Sequence, residues 1–122
     1  MEGKIRSFTD LIAWQEAHKL VLLIYDITKN YPKEEIFALV SQMRRAVISI
    51  TSNIAEGFGR KTSKDKNNFY SMAQGSLIEI QNQLLASRDI GYLKSESFNK
   101  AASQTILVHK LINGLVKSSK TY

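Results

Sequence analysis

Apolar residues recur along the chain at alternating steps of three and four, the spacing of one face of a helix. In the first stretch Leu11, Trp14, His18, Val21, Tyr25 and Thr28 form one line, and Ala17, Leu20, Ile24, Ile27 and Tyr31 form a second beside it. Together they predict a helix over about residues 10–30 with a wide apolar face. Ser7 or Thr9 is its candidate N-cap, and the Tyr31-Pro32 pair forces its end. A second helix is predicted over 33–58, where Pro32 pre-sets the first turn and Glu34 and Glu35 complement the positive end of the helix dipole. Its apolar positions are Ile36, Leu39, Val40, Met43, Ala46, Val47, Ile50 and Ile54, and Gly57 to Gly59 mark its end. A third, over 63–90, opens after Thr62 or Ser63 and carries Phe69, Met72, Ala73, Leu77, Ile80, Leu84 and Leu85 before Gly91 supplies a left-handed stop. The fourth, over 96–118, is capped by Ser95 and places Phe98, Ala101, Thr105, Val108, Ile112 and Leu115 on its seam, with Lys117 and Lys120 at its negative end.

Four amphipathic helices joined by short connections pack most simply as an all-α, antiparallel up-down-up-down four-helix bundle. At 122 residues the chain is expected to be a single domain, 1–122, with enough length to bury a core unaided. It contains no cysteine, which excludes disulfides, thiolate metal sites and cysteine nucleophiles. The longest apolar run, Leu20 to Tyr25, is far short of the roughly 20 residues that span a bilayer, so no membrane association is expected. Gln15 and Glu16 break the apolar stretch after Lys4 and Arg6 before it could act as a signal peptide, so a cytoplasmic location is expected by default.

Catalytic chemistry finds little foothold. A di-iron bundle site needs inward glutamates and Glu-x-x-His pairs, which this sequence lacks. His18 and His109 fall on or beside the seams of the first and fourth helices, where hydrogen-bonded boundary roles are expected of both. No nucleophile elbow and no phosphate-cradling glycine loop occurs. Neither enzymatic activity, nor a cofactor, nor a metal is expected.

Two polar features remain. On the second helix Gln42, Arg45, Ser49, Ser52 and Glu56 repeat the helical spacing, flanked by Asn53, and Gly75, Ser76, Glu79 and Gln83 form a similar stripe on the third. If the stripes face each other, Gln42, Arg45, Ser49, Asn53, Glu56 and Glu79 form a register-fixing polar network, with Arg45 or Arg44 meeting Glu79. Seventeen Lys and Arg against eleven Asp and Glu give a net charge of +6, a bias toward polyanions. The excess peaks at the turn between the second and third helices, where Arg60, Lys61, Lys64 and Lys66 are the candidate phosphate contacts.

The residues Phe8-x-Asp10-Leu11-x-x-Trp14-Gln15-x-Ala17, Ser41-Gln42-Met43-Arg44-Arg45-Ala46, Ser49-Ile50 and Ser52-Asn53-Ile54-Ala55-Glu56-Gly57 with Arg60 resemble the 23S rRNA intervening-sequence protein family. The likeness continues through Ala73-x-Gly75-Ser76-Leu77-x-Glu79 and Leu84 to Leu93, and so covers nearly the whole chain. Thr51 departs from it, standing where many members have proline. The resemblance implies a homopentameric ring of four-helix bundles with no established enzymatic activity. A related branch, the accessory variability proteins of diversity-generating retroelements, acts beside a reverse transcriptase and binds nucleic acid through basic surface. The expected partners are therefore further copies of the chain and RNA or DNA. The alternative is a scaffold that recruits another protein, such as a reverse transcriptase, without touching nucleic acid. Apolar residues spread widely round the first helix, Leu22 and Leu23 included, supply an independent motive for self-association.

Overall fold

The structure is a computed structural model that describes residues 4–120, Lys120 by its backbone alone. Four α-helices form it: α1 (Ile12–Thr28), α2 (Ser41–Gly59), α3 (Ser63–Ile90) and α4 (Ser95–Lys120), with no strand among the described residues. α1 packs on α2 and α4, and α3 likewise packs on α2 and α4, so the helices stand at the corners of a square with α1 diagonal to α3. The architecture is the antiparallel up-down-up-down bundle. One end, the turn end, gathers the start of α1, the α2–α3 turn and the end of α4; the other gathers the α1–α2 and α3–α4 connections.

The core follows from the spacing. Leu20 and Ile24 of α1, Met43, Ile50 and Ile54 of α2, Leu77 and Ile80 of α3, and Val108 and Ile112 of α4 are fully buried. Each such side chain contributes about 1.5–3 kcal/mol through its removal from water. At its N-terminal end the chain makes a short 3₁₀ turn, Phe8–Asp10, before α1. Ser7 caps that turn, with the Asp10 carboxylate accepting from the Ser7 amide at 3.0 Å. Leu11 stands at the N-cap position and has no side-chain acceptor, so α1 itself starts without a side-chain cap.

The chain between α1 and α2 is helical but irregular. A 3₁₀ turn, Lys33–Glu35, runs into a π-turn, Ile36–Val40, and Glu35 Oε1 accepts a hydrogen bond from the Leu39 amide at 3.4 Å. The widened turn costs one residue of phase and throws Phe37 outward. Thr62 caps α3 by accepting from the Asp65 amide at 3.1 Å, and Gly91 ends it at φ +100°, a conformation glycine adopts without a Cβ penalty. The Phe98 amide donates to the Lys94 carbonyl at 2.9 Å, which starts α4 one residue earlier than a Ser95 cap would. Lys120 at its far end has its side chain outside the described residues.

Tyr31 is buried at the connection end, its ring 5.4 Å from that of Tyr92. Burial pushes its phenol above the ordinary value, the neighbouring Ser87 hydroxyl opposing only weakly because the Tyr31 hydroxyl makes no hydrogen bond of ordinary geometry. The fold thus holds this phenol protonated. The resulting stability is fully present below the ordinary phenol pKa of about 10 and is lost as pH rises through the higher folded value. Tyr31→Phe removes both the unpaired hydroxyl and the titration, so it is expected to lose less thermal stability than the wild type between pH 8 and pH 10.5. Parallel melting curves for the two proteins at both pH values check this, and equal losses would contradict it.

Candidate nucleic-acid interface

The α2–α3 turn is built by capping. α2 ends with Arg60 extended, one residue, Lys61, follows, and Thr62 caps α3. The end of α4 is tied to this corner, where Ser63 Oγ donates to the Ser119 carbonyl and Ser119 Oγ donates to Asn67 at 2.6 Å. Among the described side chains, Lys4, Arg6, Arg60, Lys61, Lys64, Lys66 and Lys117 therefore share one end of the bundle with Asp10, Glu56 and Asp65. Seven cations against three carboxylates make this the cationic pole of the molecule.

The four expected contacts divide into two kinds. Arg60 donates to the Glu56 carboxylate at 3.1 Å and lies over the Phe69 ring, 4.6 Å from its centre. Lys66 turns back to the end of α2, where its ammonium donates to the Phe58 carbonyl at 2.8 Å and the Gly57 carbonyl at 3.3 Å. It satisfies the Phe58 carbonyl, one of those a helix end leaves without partners, and adds a second donor to the Gly57 carbonyl, which already accepts from the Arg60 amide at 3.2 Å. The Phe58 ring lies 5.6 Å from the same ammonium. Lys61 and Lys64 are exposed, and among the described residues no carboxylate pairs with either. The sequence shows four equivalent positive charges, whereas the fold spends Lys66 on helix capping, shares Arg60 with Glu56, and leaves Lys61 and Lys64 for solvent. Phe58 and Phe69 at the edges of the turn were the available signal that its cations have internal partners.

The polar stripes of α2 and α3 meet through fewer residues than expected. Ser76 Oγ donates to Ser49 Oγ at 2.8 Å, and Asn53 donates to the Ser49 carbonyl at 2.9 Å and to its hydroxyl at 3.1 Å. Gln83, which is buried, donates to Glu79 at 3.3 Å, while its own carbonyl oxygen has no partner. Gln42, Arg45 and Glu79 are exposed, Glu56 pairs with Arg60, and no ion pair forms between Arg45 and Glu79. Arg44 faces α1 instead, donating to Thr28 Oγ1 at 3.0 Å and to the Tyr25 carbonyl at 3.3 Å, with its guanidinium 4.5 Å from the Tyr25 ring centre. A step of 100° along the helix separates neighbouring residues, so Arg44 turns to α1 while Arg45 points to solvent.

The histidines lie apart in their contacts. His18 is exposed and stacks on Trp14 at 4.8 Å, whereas His109 contacts Gln74 at 3.1 Å and Asn113 at 3.3 Å. Among the described residues no group of three or more His, Asp and Glu side chains is placed to hold a metal ion. Nor is any helix long and apolar enough to cross a membrane.

The fold and its charge distribution define a small four-helix bundle with a cationic pole. The model of one family, 23S rRNA-intervening sequence protein, matches residues 9–114, and the chain belongs to that family. Its fold is similar to a crystal structure, at 1.70 Å, of a protein with unknown function from the S23 ribosomal protein family of Bacteroides thetaiotaomicron VPI-5482. That likeness has a TM-score of 0.80 at 20% identity and covers 87% of this chain and 96% of the other. No curated protein matches the chain.

Proposed function

We propose that the chain is a non-enzymatic, homo-oligomeric cytoplasmic protein, pentameric by resemblance, that binds nucleic acid through the cationic pole of each bundle. The observation that carries this reading is the exposed, unpaired pair Lys61 and Lys64 at an end where cations outnumber carboxylates by more than two to one. RNA is put ahead of DNA as the ligand to test first, since the family takes its name from a sequence that intervenes in 23S rRNA. Recognition rests on phosphate contacts, which position a protein on a nucleic acid but carry little sequence information. A ring of parallel bundles presents several such poles on one side, and simultaneous engagement multiplies a weak single-site affinity.

A fluorescence-anisotropy titration of labelled rRNA-derived RNA and of random DNA, at low and high salt, tests this. The expected result is binding that weakens steeply with salt and depends little on sequence, because each neutralised phosphate releases counterions. Absent or salt-insensitive binding would leave the scaffold reading. That second reading has its own support in the apolar side chains left on the surface, Phe37, Ile12 and Ile90 foremost.

A further inference from the structure

One groove at the cationic pole carries no net charge. It has a volume of about 600 Å³ and lies between the 3₁₀ turn before α1 and the C-terminal end of α2, lined by Phe8, Ser52, Ala55, Glu56, Gly59 and Arg60. Among the described residues its charged groups are Glu56 and Arg60, paired at 3.1 Å. Lys61 follows Arg60 directly, and Lys64 stands in the first turn of α3. We infer that this groove holds one unpaired nucleobase, guanine in preference, of the strand whose phosphates lie on Lys61 and Lys64. This rests on the nucleic-acid reading above and names the form of nucleic acid that the pole takes, a single strand.

Charge separates a base from a phosphate as the occupant. The Glu56 carboxylate, with its side chain 59% exposed, opposes a second anion, and the Arg60 charge is already answered, so the groove suits a neutral group. Adjacency to Lys61 and Lys64 separates a nucleotide from a protein side chain, which brings no phosphate to those cations. Flatness points the same way. The Phe69 ring lies 4.6 Å from the Arg60 guanidinium and supports one face of it, while the side chain stays 46% exposed and can stack on a base with the other. Phe8, half-buried and held at 68° against Trp14 with ring centres 5.4 Å apart, brings aromatic surface to the groove from a second element. At Gly59 nothing stands within 4 Å of the position a Cβ would occupy, so a planar ring can approach the backbone.

Hydrogen bonding selects among the bases. A carboxylate only accepts, and it has about four lone-pair sites, of which Arg60 occupies one. Guanine presents N1–H and N2–H side by side, and a carboxylate accepts both together, whereas uracil presents a single N–H and adenine and cytosine a lone amino group. In a duplex these donors are spent on the complementary base, so the groove discriminates for an unpaired strand.

Short labelled oligouridylates, one with a central guanosine, one with a central inosine and one with neither, test this by fluorescence anisotropy at low salt. The guanosine strand is expected to bind about fivefold to tenfold more tightly than plain oligouridylate, the lower part of the range for one bidentate contact to a base. Inosine, which keeps N1–H and lacks the 2-amino group, should fall between them, and annealing to the complement should abolish the difference. Glu56→Gln should bring the ratio to about one without changing the salt slope, and Lys61→Gln with Lys64→Gln should flatten the slope without changing the ratio. The ratio is read within each variant, so a loss of folded protein does not move it. Equal affinity for the three strands, or a preference that persists in Glu56→Gln or in the duplex, overturns the base site, and salt-dependent binding then leaves the cationic-pole reading standing. No binding to any strand overturns both.

Discussion

Gly57→Ala is expected to destabilise the bundle by about 1–3 kcal/mol, even though alanine is the better helix former. A Cβ built on Gly57 falls 2.6 Å from Tyr70 Cε1, 2.9 Å from Cδ1 and 3.2 Å from Phe69 Cβ. Tyr70 is 3% exposed, so its ring cannot swing into solvent to make room. The gain in helix propensity is worth about 0.5–1 kcal/mol, less than the cost of forcing a packed core apart. Gly75 of α3 supplies the contrast, since nothing lies within 4 Å of its Cβ position. Gly75→Ala should therefore stabilise the protein by about 0.4–1 kcal/mol through the unfolded chain. Urea denaturation of the two variants beside the wild type reads both signs. Pairing Gly57→Ala with Tyr70→Leu should recover part of the loss, because neighbours that clash are not additive. If Gly57→Ala gains stability as Gly75→Ala does, the close approach of α2 and α3 at this point is wrong.

The same glycine shows where the sequence is legible and where it stops. Four stretches of three-four periodicity, punctuated by Pro32, the Gly57–Gly59 pair and Gly91, are enough to read an all-α bundle, because burial and turn chemistry act locally. Gly91 reads correctly from sequence, since a left-handed stop is a local property. Gly57 reads from sequence as a breaker, yet it lies within α2, and its reason is a ring thirteen positions away across a turn. The π-turn is hidden for a similar reason. Ile36, Leu39, Val40 and Met43 satisfy an ordinary helical pattern, and only the Glu35 carboxylate bonded to the Leu39 amide marks the widened turn that expels Phe37.

The candidate site follows the same division. That the α2–α3 turn is basic is plain from composition, but which cations are free depends on the backbone carbonyls and rings to which the turn returns them. Lys66 and Lys64 look alike in sequence and differ entirely in surroundings. The polar stripes show the limit from the other side, for helical spacing places Arg45 and Glu79 on stripes of neighbouring helices without deciding that they touch.

That difference between the lysines sets the second large effect. Lys61→Gln with Lys64→Gln is expected to weaken RNA binding at least tenfold at low salt while leaving the melting temperature within about a degree, because neither side chain holds a partner in the fold. Each lost phosphate contact lowers the slope of log affinity against log salt by about 0.7 on single strands and 0.9 on duplex, so the double variant should flatten it by at least about 1.4. Lys66→Gln is expected to behave in the opposite way. It leaves the Gly57 and Phe58 carbonyls without their ammonium donor and should cost about 1–2 kcal/mol of stability, with a smaller change in salt slope. Titrations at several salt concentrations, paired with urea denaturation of each variant, separate the two lysine roles. An unchanged slope in the Lys61, Lys64 variant would move nucleic-acid binding away from this pole, while a stable Lys66→Gln that loses binding would return Lys66 from the capping role to the phosphate contacts.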